Sequence, residues 1–278
     1  MSLSIHTNYS SLVTQTNLNK TNNALGNNQQ RLGTGLRINS AADDAAGLQI
    51  ATRLNSQSRG MEVAMRNTGD AISLLQTGEG AFNEMTDIMQ RMKDLATQAA
   101  NDTNSDDDRT ALQSEYDELG EELTNIMDNT KFAGEALFTG GKFAASMVFQ
   151  IGASSAETLT LDASTELGDV STAISTIQGE TLDDAANSGS AIDELETALD
   201  AVGAMRASFG ANINRLNHTA NNLANMKDNT DMSKGRIMDA DFAKESANMS
   251  KNSMLMQSGI SMLKQAGQMP GMVMSLLG

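Results

Sequence analysis

The 278-residue sequence has no cysteine and no tryptophan, a single proline and two histidines, and only 3% of it is aromatic. Without cysteine, disulfides, thiolate-bound zinc and thiol chemistry are excluded. His6 and His218 leave little for imidazole catalysis or metal binding. Gly33-Thr34-Gly35 and Gly78-Glu79-Gly80 lack the continuation of a phosphate loop. Basic charge is scarce as well: 19 Lys and Arg face 35 Asp and Glu, for a formal net charge of -16. That balance argues against nucleic acid as a partner, because phosphate backbones are held by clustered cations. No apolar run approaches the roughly 18 residues of a membrane helix, so no membrane insertion is expected. The first 30 residues show no basic start followed by an apolar run, so no secretory signal is visible. By such signals alone the protein reads as soluble and cytoplasmic, a reading that an export route without a cleaved peptide would override. No catalytic residue, metal or cofactor is expected.

What remains is helix-forming. Leu, Ile, Val and Phe number 27, 13, 6 and 7, and 19 Met supply the main extra apolar material. Few aromatics and one proline suit long helices better than an ordinary globular core. Such helices are expected to complete their burial against other chains. Charge divides the chain in three: residues 1–60 carry net +3, residues 61–200 net -22, and residues 201–278 net +3. A solvated middle between associating ends is the economical reading.

Apolar spacing refines this picture. Leu18, Leu25 and Leu32 repeat every seven residues in an Asn- and Gln-rich stretch, a stripe too thin for a stable isolated helix. Ser40 and Asp43 read as a capping box. From about residue 44 to 100, Met61, Met65, Ile72, Leu75, Phe82, Met85, Met89, Met92, Ala96 and Ala99 follow helical steps. This predicts one long helix or two nearly continuous ones, interrupted at most near Gly78 and Gly80. The polar turn 101–108 follows, its three Asp decorating the positive end of the next helix. Leu112, Tyr116, Leu119, Leu123 and Ile126 mark that helix. Ser146–Ile151 and Thr158–Asp162 alternate as a β-hairpin, and the rest of 130–190 reads as a loop-rich excursion. Leu195, Val202, Phe209, Leu216 and Leu223 then define about 35 residues of helix. Phe242, Met249, Met256 and Leu263 mark a last one, which Pro270 and Gly271 are expected to end. The predicted fold is mainly α: a long antiparallel helical rod with coiled-coil termini and a small β-hairpin excursion.

Several blocks carry a family likeness. Arg37–Leu54 (RINSAADDAAGLQIATRL), Gln90–Ser105, Asp108–Leu123, Arg206–Thr219, Arg236–Ala247 and Ser275–Gly278 resemble the conserved blocks of bacterial flagellins. The likeness covers roughly residues 3–165 and 190–278. There are departures. Gly33-Thr34 stands where the family commonly has two Ser, Phe132-Ala133-Gly134 where Phe-Asn-Gly is usual, and Met where Leu, Ile or Gln is common near the C-terminus.

The resemblance implies a filament subunit, extracellular and exported unfolded without a cleaved signal peptide. It divides the chain into an N-terminal inner-tube helix (1–42), a rod domain whose N-terminal part (43–190) carries the hairpin near 146–162, the rod's C-terminal helix (191–235) and a C-terminal inner-tube helix (236–278). Only Ala163 to Asn187 is available for an outer domain, so a compact, lateral-flagellum-like member is implied. Subunit packing is expected to bury Leu18, Leu25, Leu32, Met249, Met256 and Leu263. Arg91, Leu95 and Glu115 fall where receptor-activating flagellins contact a vertebrate Toll-like receptor. The implied partners are further copies of the chain, a flagellin-specific export chaperone, and the hook-associated junction and cap proteins. A hook–filament junction protein, whose ends resemble flagellin's, is the near rival. A flagellin with an inserted protease is disfavoured by the short insertion and the lack of an HExxH pair. A cytosolic coiled-coil adaptor is the bland alternative.

Overall fold

The computed structural model describes residues 8–277, with side chains up to Gln268. His6 and Gly278 of the last family-like block lie outside the described residues. Six helices and two short strand pairs follow one another in this range: α1 (Tyr9–Thr34), α2 (Ala45–Ala99), α3 (Asp106–Asn129), β1 (Lys131–Phe132), β2 (Glu135–Ala136), β3 (Met147–Gln150), β4 (Thr158–Leu161), α4 (Ser164–Gln178), α5 (Ala185–Met238) and α6 (Phe242–Leu277). The chain forms two compact units, residues 57–228 and residues 1–56 with 229–278. These limits differ from the sequence-based ones at 42, 190 and 235. The period of 3.6 continues unbroken along α2 and α5, so neither unit begins at a helix end.

In the unit 57–228, α2 and α5 run antiparallel, with Phe82 beside Phe209 (ring centroids 5.8 Å apart) and Lys93 Nζ donating to Glu196 Oε1 at 2.6 Å. The helix α2 has 55 residues, about 80 Å at the usual rise per residue. It is not interrupted at Gly78 or Gly80. Gly78 is a notch for packing: a Cβ there would lie 2.8 Å from Phe209 Cε2 and 3.0 Å from Phe143 Cε2. Phe82, Phe138, Phe143 and Phe209 form one fully buried cluster. Four of the nine aromatic residues are thus gathered between α2, α5 and the segment that follows β2.

The helix α3 begins with the capping box of Ser105 and Asp108 and three acidic residues in its first turn, which suits the positive helix end. It packs on α4, which the sequence reading took for loop. Leu167, Val170, Ile174 and Ile177 of α4 are buried, a 3-4-3 stripe hidden among Ser, Thr and Gly. Tyr116 Oη donates to Ile177 O at 3.0 Å, and Gln178 Nε2 donates to Gly120 O at 2.6 Å. Burial, with Glu180 and Asp117 nearby, pushes the Tyr116 phenol well above its ordinary value, so it remains a neutral donor. The predicted hairpin forms as β3–β4, with Met147 opposite Leu161 and Gln150 opposite Thr158. Leu159 and Leu161 face the core. Asn67 Nδ2 of α2 donates to Gln150 O at 3.2 Å and ties the hairpin down. The smaller β1–β2 pair turns through Ala133 (φ 52°) and Gly134 (φ 88°).

In the unit 1–56 with 229–278, α1 and α6 pack against each other. Asn8 caps α1 by accepting from Ser11 N, and Gly35 closes it in the left-handed conformation. Ser40 and Asp43 do pair, but they close a turn; Asp44 caps α2, accepting from Gly47 N at 2.8 Å. Arg37 N donates to Met238 O at 2.6 Å and Ala240 N to Gly35 O at 2.9 Å, so the exit of α1 is stitched to the α5–α6 junction. Contrary to expectation, α6 continues through Pro270 to Leu277. Proline lacks the amide hydrogen that would have paired with Ala266 O. Asn8 Nδ2 donates to that carbonyl instead, at 2.7 Å, so a buried acceptor is not left without a partner.

Candidate assembly surface

The two terminal helices meet along a seam with coiled-coil spacing. The less exposed positions include Ser11, Thr14, Leu18, Thr21, Leu25, Asn28 and Leu32 on α1, and Glu245, Met249, Asn252, Met256, Gly259, Leu263 and Ala266 on α6. Both series step by three and four. Glycine at 259 admits Leu18: a Cβ there would lie 3.1 Å from Leu18 Cδ1. The pair is antiparallel, since Asn8 meets Ala266 while Arg31 meets Glu245.

All six sequence-predicted packing residues, Leu18, Leu25, Leu32, Met249, Met256 and Leu263, sit on this seam, each half-buried. Polar side chains share it. Arg31 Nη1 donates to Glu245 Oε1 at 3.3 Å, and Glu245 is 7% exposed. With its amide turned to satisfy both ends, Asn28 donates to Glu245 Oε2 at 3.2 Å and accepts from Asn252 Nδ2 at 3.1 Å. A buried polar cluster adds little net stability but matches only one alignment of the two helices.

A second apolar series faces solvent, and in the sequence Leu255, Met262 and Met269 stand seven residues apart beside the first series. Tyr9, Leu12 and Val13 are exposed at the start of α1, and Met254, Leu255, Ile260 and Met262 along α6. Because the helices are antiparallel, Tyr9, Leu12 and Val13 lie level with Ile260 and Met262, while Met254 and Leu255 lie nearer the middle of the pair. The signal was present in the sequence: Leu255 and Met262 are seven apart, one position out of step with Met249, Met256 and Leu263.

On the other unit, Arg91 Nη2 and Glu115 Oε1 form an exposed ion pair between α2 and α3 at 2.6 Å. Leu95 does not join them at the surface. It is 1% exposed, on the inward face of α2 with Met92, Ala96 and Ala99. As a directly contacted residue it is therefore corrected to a core residue. His218 is exposed and lines a shallow cleft with Gln57, Met61 and Glu157. Among the described residues, no group of three or more His, Cys, Asp or Glu is placed to hold a metal ion, and no helix is long and apolar enough to cross a membrane.

Both terminal regions of the chain match known proteins. The bacterial flagellin N-terminal helical region matches residues 5–142, and the C-terminal helical region matches residues 192–277. Flagellin A of Vibrio anguillarum is 36% identical over 380 aligned positions that cover all of both chains. The alignment is longer than this chain, so that relative carries additional residues. A flagellin of Halalkalibacterium halodurans is 40% identical over 262 residues, covering 94% of this chain and 93% of its own. Among solved structures, Bacillus cereus flagellin is 36% identical with a TM-score of 0.50, covering 57% of this chain and 88% of its own. A putative flagellar hook-associated protein from Vibrio parahaemolyticus shares the fold, with a TM-score of 0.58 over 71% of this chain and 100% of its own, but is only 15% identical.

Proposed function

The chain belongs to the bacterial flagellin family and is a structural subunit of the extracellular flagellar filament used for motility, and from that premise we propose that the outward apolar arc of the α1–α6 pair drives its polymerisation. The observation that supports this reading is the exposure of Tyr9, Leu12, Val13, Met254, Leu255, Ile260 and Met262 on one helix pair. Covering such side chains is favourable in proportion to the apolar area removed from water. A repeated heterologous contact of this kind that does not close gives an open helical polymer. The seam residues Leu18, Leu25, Leu32, Met249, Met256 and Leu263 act earlier in this scheme. They order the pair so that the arc can form.

Export follows from the same weakness. Four of the seven seam positions on α1 are polar, so the isolated pair gains little against the entropy of ordering it. A chain with easily unfolded ends suits passage through a hollow organelle without a cleaved signal peptide. A flagellin-specific chaperone would hold α6 before export, and the hook-associated junction and cap proteins would meet the same helix pair. The exposed pair Arg91 and Glu115 is the surface proposed for a vertebrate Toll-like receptor, with Leu95 supporting it from inside α2. A reporter-cell assay of the purified monomer tests this: loss of response in Arg91→Ala supports it, and an inert wild type overturns it.

The assembly reading is tested by deleting residues 1–40 or 240–278. Either truncation should leave a soluble helical monomer that does not polymerise. Filaments of normal length from either would overturn it, and undiminished chaperone binding without residues 240–278 would overturn the chaperone assignment.

A further inference from the structure

We propose that Met254 and Met262 are oxidation sites through which peroxide-class oxidants block the incorporation of free subunits into the filament. The inference rests on the assembly reading above and adds a chemical control to it.

The methionines with described side chains range from buried to exposed, with Met232 of α5, at 56%, next in exposure to the two on α6. Met61, Met85, Met89, Met92 and Met205 are at most 1% exposed in the core of the unit 57–228. Met254 is 66% exposed and Met262 63% exposed. Met254, Leu255 and Met262 share an arc of about 100° on α6, facing away from the half-buried seam residues Met249 and Met256. Among the methionines whose side chains are described, the two most exposed are therefore the two placed on the proposed contact arc.

The chemistry is balanced without any group from the protein. The thioether sulfur attacks one oxygen of hydrogen peroxide, the O–O bond breaks, a sulfur–oxygen bond forms and water leaves. Sulfur is oxidised by two electrons and the peroxide is reduced. The product is a polar, chiral sulfoxide in place of a flexible apolar side chain, and it is reversible by sulfoxide reductases. In the free subunit both sulfoxides remain in water, so the fold is unchanged. When a neighbouring subunit covers the arc, each strong acceptor loses its water, at the cost that attends a buried polar group. Oxidised subunits consequently stay folded and do not add to a filament. Subunits already assembled shield the same sulfurs, so the control acts on free chains.

The test uses the full-length protein, hydrogen peroxide and peptide-resolved mass spectrometry. Met254 and Met262 should be oxidised well before Met85, Met89, Met92 and Met205. The critical concentration for polymerisation should rise roughly tenfold or more, since burying one methionine is worth at least that factor. The thermal unfolding midpoint should stay where it was, and methionine sulfoxide reductase should restore assembly. The Met254→Leu/Met262→Leu variant should polymerise equally well before and after the treatment, and Met254→Gln/Met262→Gln should reproduce the loss without oxidant. In filaments the two sulfurs should react at least several-fold more slowly than in monomers. If the Leu variant loses assembly as wild type does, or if fully sulfoxidised wild type polymerises normally, the proposal is overturned. Untreated wild type that fails to polymerise would overturn the assembly reading, and this inference with it.

Discussion

Gly60 of α2 lies so close to Ala153 of the β3–β4 turn that a Cβ at position 60 would sit 2.8 Å from Ala153 Cβ and 3.2 Å from its Cα. The hairpin rests directly on the bare helix backbone. Gly60→Ala gains about 0.5–1 kcal/mol of helix propensity but forces the turn away, an overpacking cost of about 1–3 kcal/mol. The net expectation is destabilisation by about 1 kcal/mol, read by thermal unfolding, with loss of protection at the Asn67–Gln150 contact. Gly69, exposed on the same helix, has nothing within 4 Å of a built Cβ. Gly69→Ala should therefore stabilise by up to about 1 kcal/mol. If both substitutions shift the midpoint the same way, the packing argument is wrong.

The turn between β1 and β2 makes a second prediction. Ala133 holds φ 52°, a left-handed conformation that costs an ordinary residue about 1–2 kcal/mol and suits Asn much better. Alanine stands there where the family usually has Asn. Ala133→Asn should raise stability by about 0.5–1 kcal/mol, measured as a higher midpoint in urea with an unchanged slope. A lower midpoint would refute the strain.

Glu245 links Arg31 and Asn28 across the seam. Glu245→Ala leaves the Arg31 guanidinium without its partner and should weaken the α1–α6 pair by about 1–3 kcal/mol. The readouts are faster amide exchange in both helices and a raised critical concentration. Glu245→Gln, which keeps the shape and one acceptor, should lose less. Equal losses in the two variants would mean that packing, not charge, is what matters there.

Acid should loosen the fold at the carboxyls of its turns, its α3 cap and the Lys93–Glu196 pair. Hydrogen bonds from the Ser40 backbone, with help from Asn39, hold the Asp43 carboxyl below its ordinary value of 3.8. The Ser105 hydroxyl does the same for Asp108, the Ser164 hydroxyl for Asp162, and the Asn187 amide for Asp183. The hydrogen bond from Lys93 lowers Glu196 from 4.5. Carboxyls depressed on folding contribute stability above their unfolded values, and that stability is lost as pH falls through the folded ones. The thermal midpoint of the monomer should be flat from about pH 7 to 5 and drop below about pH 4. A midpoint that rises on acidification past pH 4 would contradict this assignment.

Salt should act in the opposite sense on assembly. The segment 61–200 carries net -22. Several of its few bases are already engaged within the chain, Arg91 with Glu115, Lys93 with Glu196, Arg109 with Asp102 and Lys142 with Glu135. That leaves little cation to bind a neighbour's acids, so repulsion between subunits should dominate until it is screened. The critical concentration should be lower at about 150 mM salt than at about 10 mM, where the screening length is several times greater. The reverse order would show that intersubunit ion pairs prevail.

The sequence by itself determined five of the six helices, the hairpin and the family, because each depends on local information. Heptads of Leu and Met, alternation in 146–162 and long conserved-looking blocks need no knowledge of neighbours. It also placed Leu18, Leu25, Leu32, Met249, Met256 and Leu263 on common stripes. Only the tertiary structure decided what those stripes face. Half-burial of these six on the α1–α6 seam, and exposure of Met254 and Met262 one step around the helix, follow from which helix lies alongside, and periodicity cannot state that. The same holds for α4, whose four buried residues are too diluted by Ser and Thr to read as a helix until α3 covers them. It holds for Leu95, which sits inside because α2 turns that face to the core. Pro270, which locally signals an end, lies within α6 because Asn8, distant in the chain and near in space, accepts the role of the missing amide hydrogen.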